Sequence, residues 1–257
     1  MNTPNYIAAS LKYLPSEEDR ASSFTVTIPE GTIAIENFAF YECKGLTSVT
    51  IPMGITQIPY CAFSSCSDLK VVTIPETVTH INENAFQACM SLTSVTIPEG
   101  VTQIGKRAFY GCSGLTCLTL PETVTQIGVG AFLNCSGLTS IRIPSEVEKI
   151  AAKTFFNCFG LTSVEIPRGL EEFGDEAFLH CSGLTSVRTT EDVEEVKNGA
   201  FFPDSVIRIG YMAFAGCAGL TSVHIPEDVD MVGNGAFLKC SGLMSVTIVE
   251  GGLSIGI

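Results

Sequence analysis

The chain is short of positive charge, of histidine and of long apolar runs, and each shortage removes a class of function. Fourteen Lys and Arg stand against twenty-seven Asp and Glu, a net charge of −13 over 257 residues. Phosphate neutralisation needs clustered Lys and Arg, so this balance argues against a nucleic-acid partner. It equally disfavours electrostatic docking on an anionic membrane. No apolar stretch approaches the roughly 20 residues that cross a bilayer, so no membrane insertion is expected. Residues 1–10 lack the basic start and apolar stretch of a secretory signal, which on a complete chain would mean a cytoplasmic protein. There are three His, and no CxxC with companion His, so zinc is disfavoured. GxGxxG and phosphate-loop patterns are missing too, as is any Ser-His-Asp or Cys-His arrangement. No enzyme, cofactor or resident metal is expected.

What the chain does have is a period of 23 residues. Anchors recur at Ile28, Ile51, Ile74, Ile97, Leu120, Ile143, Ile166, Thr189, Ile225 and Ile248, nearly all followed by Pro. Apolar residues return at fixed offsets from each anchor, as in Val101, Ile104, Ala108, Phe109, Cys112, Leu115 and Leu118 after Ile97. Fixed self-similarity at this period means a solenoid, whose coils bury their apolar sides against one another. Each coil offers about seven inward side chains worth roughly 1.5–3 kcal/mol apiece. Ordering its backbone costs about 1–2 kcal/mol per residue. One coil cannot fold alone; about nine stacked can.

The alternation in Ser94-Val95-Thr96-Ile97 predicts a strand with Val95 and Ile97 inward and Thr96 outward, ended by Pro98. A second short strand is expected over 101–104. The segment 106–112 reads as one turn of 3₁₀ or α-helix, and Gly114 and its equivalents as left-handed turns into the next strand. The architecture is a right-handed parallel solenoid. Nine Cys fall in one column: Cys43, Cys66, Cys89, Cys112, Cys135, Cys158, Cys181, Cys217 and Cys240. Rungs about 4.8 Å apart would hold their Cβ atoms wider than the ~3.8 Å of a disulfide, so a ladder of free buried thiols is expected. Cys61 and Cys117 lie off the column.

These residues resemble the BspA-like leucine-rich repeats, whose pattern runs L-x-x-V-x-I-P-x-x-V-x-x-I and then A-F-x-x-C, over about residues 24–257. The resemblance implies an α/β, β-rich horseshoe: a parallel sheet on the concave face, with short second strands and 3₁₀ or helical turns on the convex side. It also implies a cell-surface or secreted adhesion module that binds a protein, such as an extracellular-matrix or host protein.

Three parts depart from the regular array. Residues 1–23 are expected to cap the first coil, with Tyr6, Ile7, Leu11 and Leu14 on one face of a short helix. The last repeat, 248–257, is incomplete, and its uncapped end is expected to invite self-association. Anchors Thr189 and Ile225 are 36 residues apart, thirteen more than the period. Half-repeats ending in Ala200-Phe201 and Ala213-Phe214 suggest a bulge on the convex side.

Folding constrains only the inward columns, so specificity should sit on outward ones. The outward strand column runs Thr27, Thr50, Thr73, Thr96 and Thr119, then Arg142, Glu165, Arg188 and His224, then Thr247. Arg142, Glu165, Arg188 and His224 are the candidate ligand contacts, with the charges expected to pair across rungs. Glu171, Glu172, Asp175, Glu176, Glu194 and Glu195 form a candidate acidic patch for weak calcium binding or a basic partner. A passive structural spacer, or the repeat tract of a larger surface protein, is the alternative to a binding module.

Overall fold

The computed structural model describes residues 10–11, 23–189, 199–249 and 254–255. They form a parallel β-solenoid, and each coil lays down a long strand, a short strand and a chain of tight turns. In the most regular part, Ser94–Thr96 pairs in register with Cys117–Thr119. Gln103–Ile104 likewise pairs with His80–Ile81 before it and Gln126–Ile127 after it. Neighbouring coils therefore present identical positions to one another, which is how a 23-residue sequence period becomes a column in space.

The core is built of such columns. Phe40, Phe63, Phe86, Phe109, Phe132, Phe155, Phe178, Phe214 and Phe237 stack in an unbroken line, with ring centroids 5.0–5.7 Å apart and nearly parallel planes. Beside it run the nine column cysteines, none of them in a disulfide. They do more than fill space. Each thiol of the column from Cys66 onward donates to the carbonyl of the Phe one coil earlier, as Cys112 Sγ does to Phe86 O at 3.1 Å and Cys135 Sγ to Phe109 O at 3.1 Å. Burial pushes the Cys112 and Cys158 thiols up to about 12. At two corners Thr hydroxyls reach back in the same direction, Thr102 Oγ1 to Thr79 O at 3.3 Å and Thr162 Oγ1 to Thr139 O at 2.9 Å.

The third side of each coil holds no helix; among the described residues none forms. Two residues per coil, four apart, take positive φ, as Arg107 (53°) and Gly111 (73°) do, and this interrupts any helical run. The backbone amides alternate instead. Ala108, Tyr110 and Cys112 close turns within the coil, at 3.1–3.2 Å, while Arg107, Phe109 and Gly111 donate to Val129, Ala131 and Leu133 of the next, at 2.8–3.0 Å. Every donor is satisfied without helical geometry. Gly45 takes the left-handed φ expected (82°), but Gly114 does not: a Cβ there would lie 2.4 Å from the Met90 carbonyl, so this position is glycine because coils approach closely.

Residues expected in a bulge on the convex side instead add a rung to the long-strand sheet. Gly199–Phe201 pairs with Ser186–Thr189 on one side and with Ser222–Ile225 on the other. On the short-strand side, Glu172–Phe173 pairs directly with Arg208–Ile209. On the turn side, the Glu176 amide donates directly to Tyr211 O at 2.7 Å. One face gains a rung, about 4.8 Å, and the other two gain none, so the stack is wedged here. Aromatic rings fill the wedge: Phe173, in a column otherwise of Ile and Val, lies 4.8 Å from Phe202, which in turn lies 5.4 Å from Phe214.

At the start of the chain, Leu11 belongs not to a helix but to a strand, Ser10–Leu11, paired parallel with Ala34–Ile35. Tyr6, Ile7 and Leu14 lie outside the described residues. Toward the other end, the inward residues of Ser245–Ile248 are open to solvent: Val246 is 48% exposed, where its neighbour Val223 is 2%.

Candidate functional site

Strand alternation sets the outward column. Val164, Val187, Ala200 and Val223 are buried, so the residues that follow them point away from the core. The register places Arg142 opposite Glu165, Glu165 opposite Arg188, and Phe201 opposite His224, which faces Thr247. Arg142 and Arg188 are exposed; Glu165 and His224 are half-buried. The four sequence-predicted contacts thus share one face, on consecutive rungs interrupted once.

The expected pairing along this column does not form. Arg142 turns to Glu122 of the preceding coil, Nη2 to Oε1 3.3 Å, and among the described residues no ion pair runs between rungs of the column. The reason is local. Glu122 sits just beyond the Pro121 corner, where its other oxygen accepts from the Ser145 amide at 3.0 Å. That amide, with Arg142 beside it, holds the Glu122 carboxyl below the usual carboxylate range. Glu122 is therefore already fixed within reach of Arg142, and one carboxylate ties two coils together at the edge of the face.

The residue that interrupts the column was not anticipated. The sequence pattern puts Phe201 in an Ala-Phe half-repeat, yet Ala200 is a buried strand residue and Phe201 occupies the outward position between Arg188 and His224. Its ring lies parallel to the His224 imidazole, centroids 6.2 Å apart and planes 14° apart. Gly199, beneath it, leaves room: a Cβ there would come within 2.8 Å of the Phe201 ring. A signal was present. Counting one period back from Ile225 reaches Phe202, which precedes Pro203 as Ile97 precedes Pro98. The true anchor is Phe202, and the added piece is the thirteen residues that end there.

On the short-strand face, the expected acidic patch is largely paired. Glu172 lies between Lys149, at 3.6 Å, and Arg208, to which it is hydrogen-bonded. Arg208 also reaches Asp175 Oδ1 at 3.0 Å, and the same oxygen accepts from the Tyr211 amide at 2.9 Å. Glu176 pairs with Lys153 at 3.6 Å. This clamp sits opposite the added rung and binds the coils where the stack is wedged. The Glu171 carbonyl accepts from the Ile207 and Arg208 amides at 2.9 and 3.2 Å. Glu194 and Glu195 lie outside the described residues. Among the described residues, no three His, Cys, Asp or Glu side chains are arranged to hold a metal ion.

The three histidines lie on three different sides. His80 is on the short strands, its Nδ1 2.7 Å from Thr79 Oγ1; His180 is in the turns against Phe156; His224 is on the long strands. A recess of about 530 Å³ opens on the short-strand face, lined by Gln103, Gln126, Lys106, Lys149, Glu146 and Glu148 among others, and by neither His nor Cys.

The model of the BspA type leucine rich repeat region matches residues 19–116, 102–202 and 202–256, in six copies. A leucine-rich repeat protein of T. pallidum is similar in structure, with 28% identity and a TM-score of 0.60, over 72% of this chain and 91% of that one. One from Bacteroides ovatus has 26% identity and a TM-score of 0.57, over 90% and 74%. The pneumococcal vaccine antigen PcpA, 18% identical with a TM-score of 0.53 over 96% and 75%, shares the fold. No curated protein matches the chain.

Proposed function

This chain belongs to the BspA-type leucine-rich repeat family, and on that footing we propose that it is a non-enzymatic, adhesion-type module that recognises a protein ligand on its long-strand face. The observation that carries the reading is the outward column itself. Five rungs repeat Thr; then Arg142, Glu165 and Arg188 and, past the added Phe201 rung, His224 depart from the pattern on one sheet and in register. The inward residues just before them, Ile141, Val164, Val187 and Val223, keep the pattern and stay buried, so the core does not require the change. A broad, shallow, mixed-charge face suits a macromolecular partner, in which electrostatic complementarity sets register and rate, better than a small substrate, which favours a concave pocket.

The non-enzymatic reading is supported by the separation of the histidines, which lie on three different sides, and by a recess lined by neither His nor Cys. The test is binding to a panel of immobilised extracellular-matrix proteins, comparing wild type with the Arg142→Ala/Arg188→Ala double variant. Loss of binding with an unchanged melting temperature supports this placement. Binding that survives the double substitution removes it.

A further inference from the structure

Resting on that reading of the face, we propose that Phe201 is its anchor, and that the partner is a peptide segment presenting an apolar or aromatic side chain beside a carboxylate. The added rung brings together what the regular array nowhere else does. Phe201 is the sole aromatic residue in the outward column, whose other positions are Thr, Arg, Glu and His. Two neighbours set its position: Gly199, where a Cβ would come within 2.8 Å of its ring, and His224, whose ring lies parallel to it with centroids 6.2 Å apart. A ring already fixed in place loses little freedom on binding, and such rings dominate protein interfaces.

Its surroundings define the partner's chemistry. Arg188 stands on the adjacent rung, exposed, and Arg142 lies two rungs beyond it at the Glu122 edge. These are cations on a protein of net charge −13. A partner that carries a carboxylate is attracted to Arg188 and repelled by Glu165 on the rung beyond it, which fixes its register on the face. The apolar side chain takes the Phe201 ring and the carboxylate takes the Arg188 guanidinium, whose fork suits it.

The experiment is selection from a random-sequence peptide display library on the whole chain, followed by fluorescence-anisotropy titration of the enriched peptides. Enrichment of Asp or Glu next to aromatic or aliphatic residues is expected. The decisive variant is Phe201→Thr, which installs the array's own residue for this column and so keeps the strand. It should weaken the peptides roughly thirtyfold, a hot-spot effect, while Phe201→Tyr largely restores them and Thr96→Ala changes nothing. No enrichment, or enrichment without acidic residues, overturns the proposal. Peptides that tolerate Phe201→Thr but fail on the Arg142→Ala/Arg188→Ala variant overturn the anchor and leave the face standing. Peptides that tolerate both sink the face as well.

Discussion

The coils anchored at Ile28 to Leu120 and those anchored at Ile143 to Ile225 share the same Phe and Cys stacks and have different exteriors. In both, Phe stacks on Phe and each thiol points back to the carbonyl before it. Outside, the first region repeats Thr, whereas the second carries Arg142, Glu165, Arg188, Phe201 and His224, an added rung, and the Arg208 clamp. The difference teaches that this architecture tolerates innovation on one side of a coil at a time. A rung entered the long-strand face while the short strands and turns closed up directly beneath it.

The strongest perturbation should erase the distinction between the regions. Burial raises the thiols of Cys66, Cys89, Cys112, Cys135, Cys158, Cys181, Cys217 and Cys240 above their ordinary value. A thiol whose folded value lies above its unfolded one contributes nothing to pH dependence below about pH 8.5. Above that, the unfolded chain binds fewer protons and stability falls, by up to about 1.4 kcal/mol per pH unit for each thiol. Unfolding followed by circular dichroism should therefore turn steep from about pH 9 upward, in a single transition. Two separate transitions would show that the regions fold independently.

Next in size are core truncations. Phe109→Ala in the regular region should cost about 3–5 kcal/mol in urea denaturation. Phe202→Ala should cost less than that, because it empties a space the wedge created instead of breaking the main Phe stack. An equal or larger loss at Phe202 would make the wedge a keystone for the whole array.

Arg208→Ala comes third. It leaves Glu172 with Lys149 alone and Asp175 with the Tyr211 amide alone at the narrow side of the wedge, and should cost about 1 kcal/mol, with faster hydrogen exchange at the Tyr211 amide. No change in that amide would mean that the clamp merely decorates the surface.

Deleting residues 190–202 joins Thr189 to Pro203 and restores the 23-residue spacing to Ile225. The shortened chain should fold with nearly unchanged stability and no longer bind through the Phe201 face. Failure to fold would show that the added rung compensates for something the regular array cannot supply. The smallest effect belongs to Thr96→Ala, expected within ~0.5 kcal/mol of wild type as for other surface sites.

The period made most of this fold legible, because inward positions such as Val101, Ile104 and Phe109 must repeat for coils to stack. The turns were not legible. Ala108, Phe109 and Cys112 have the spacing of a helical face, and nothing in the residue Arg107 announces a positive φ. Gly114 showed its small size but not the reason for it, since the clash partner, Met90, belongs to another coil. At the site, Arg142, Glu165, Arg188 and His224 could be aligned by counting. The Arg142–Glu122 pair could not, because it crosses from strand to corner between coils. Phe201 was hidden by its own neighbour: Ala200-Phe201 copies the turn motif letter for letter, and the Phe202-Pro203 anchor beside it was the stronger clue.

The backward reach of the thiols and the Thr hydroxyls has a consequence for how the protein is made. Acceptors such as Phe86 O and Thr79 O lie in the earlier coil, and the donors, Cys112 and Thr102, arrive later in the chain. A nascent polypeptide leaving the ribosome finds its docking carbonyls already set out by what has emerged, so assembly can keep pace with synthesis. Each new turn of the spiral is seated by the one before it.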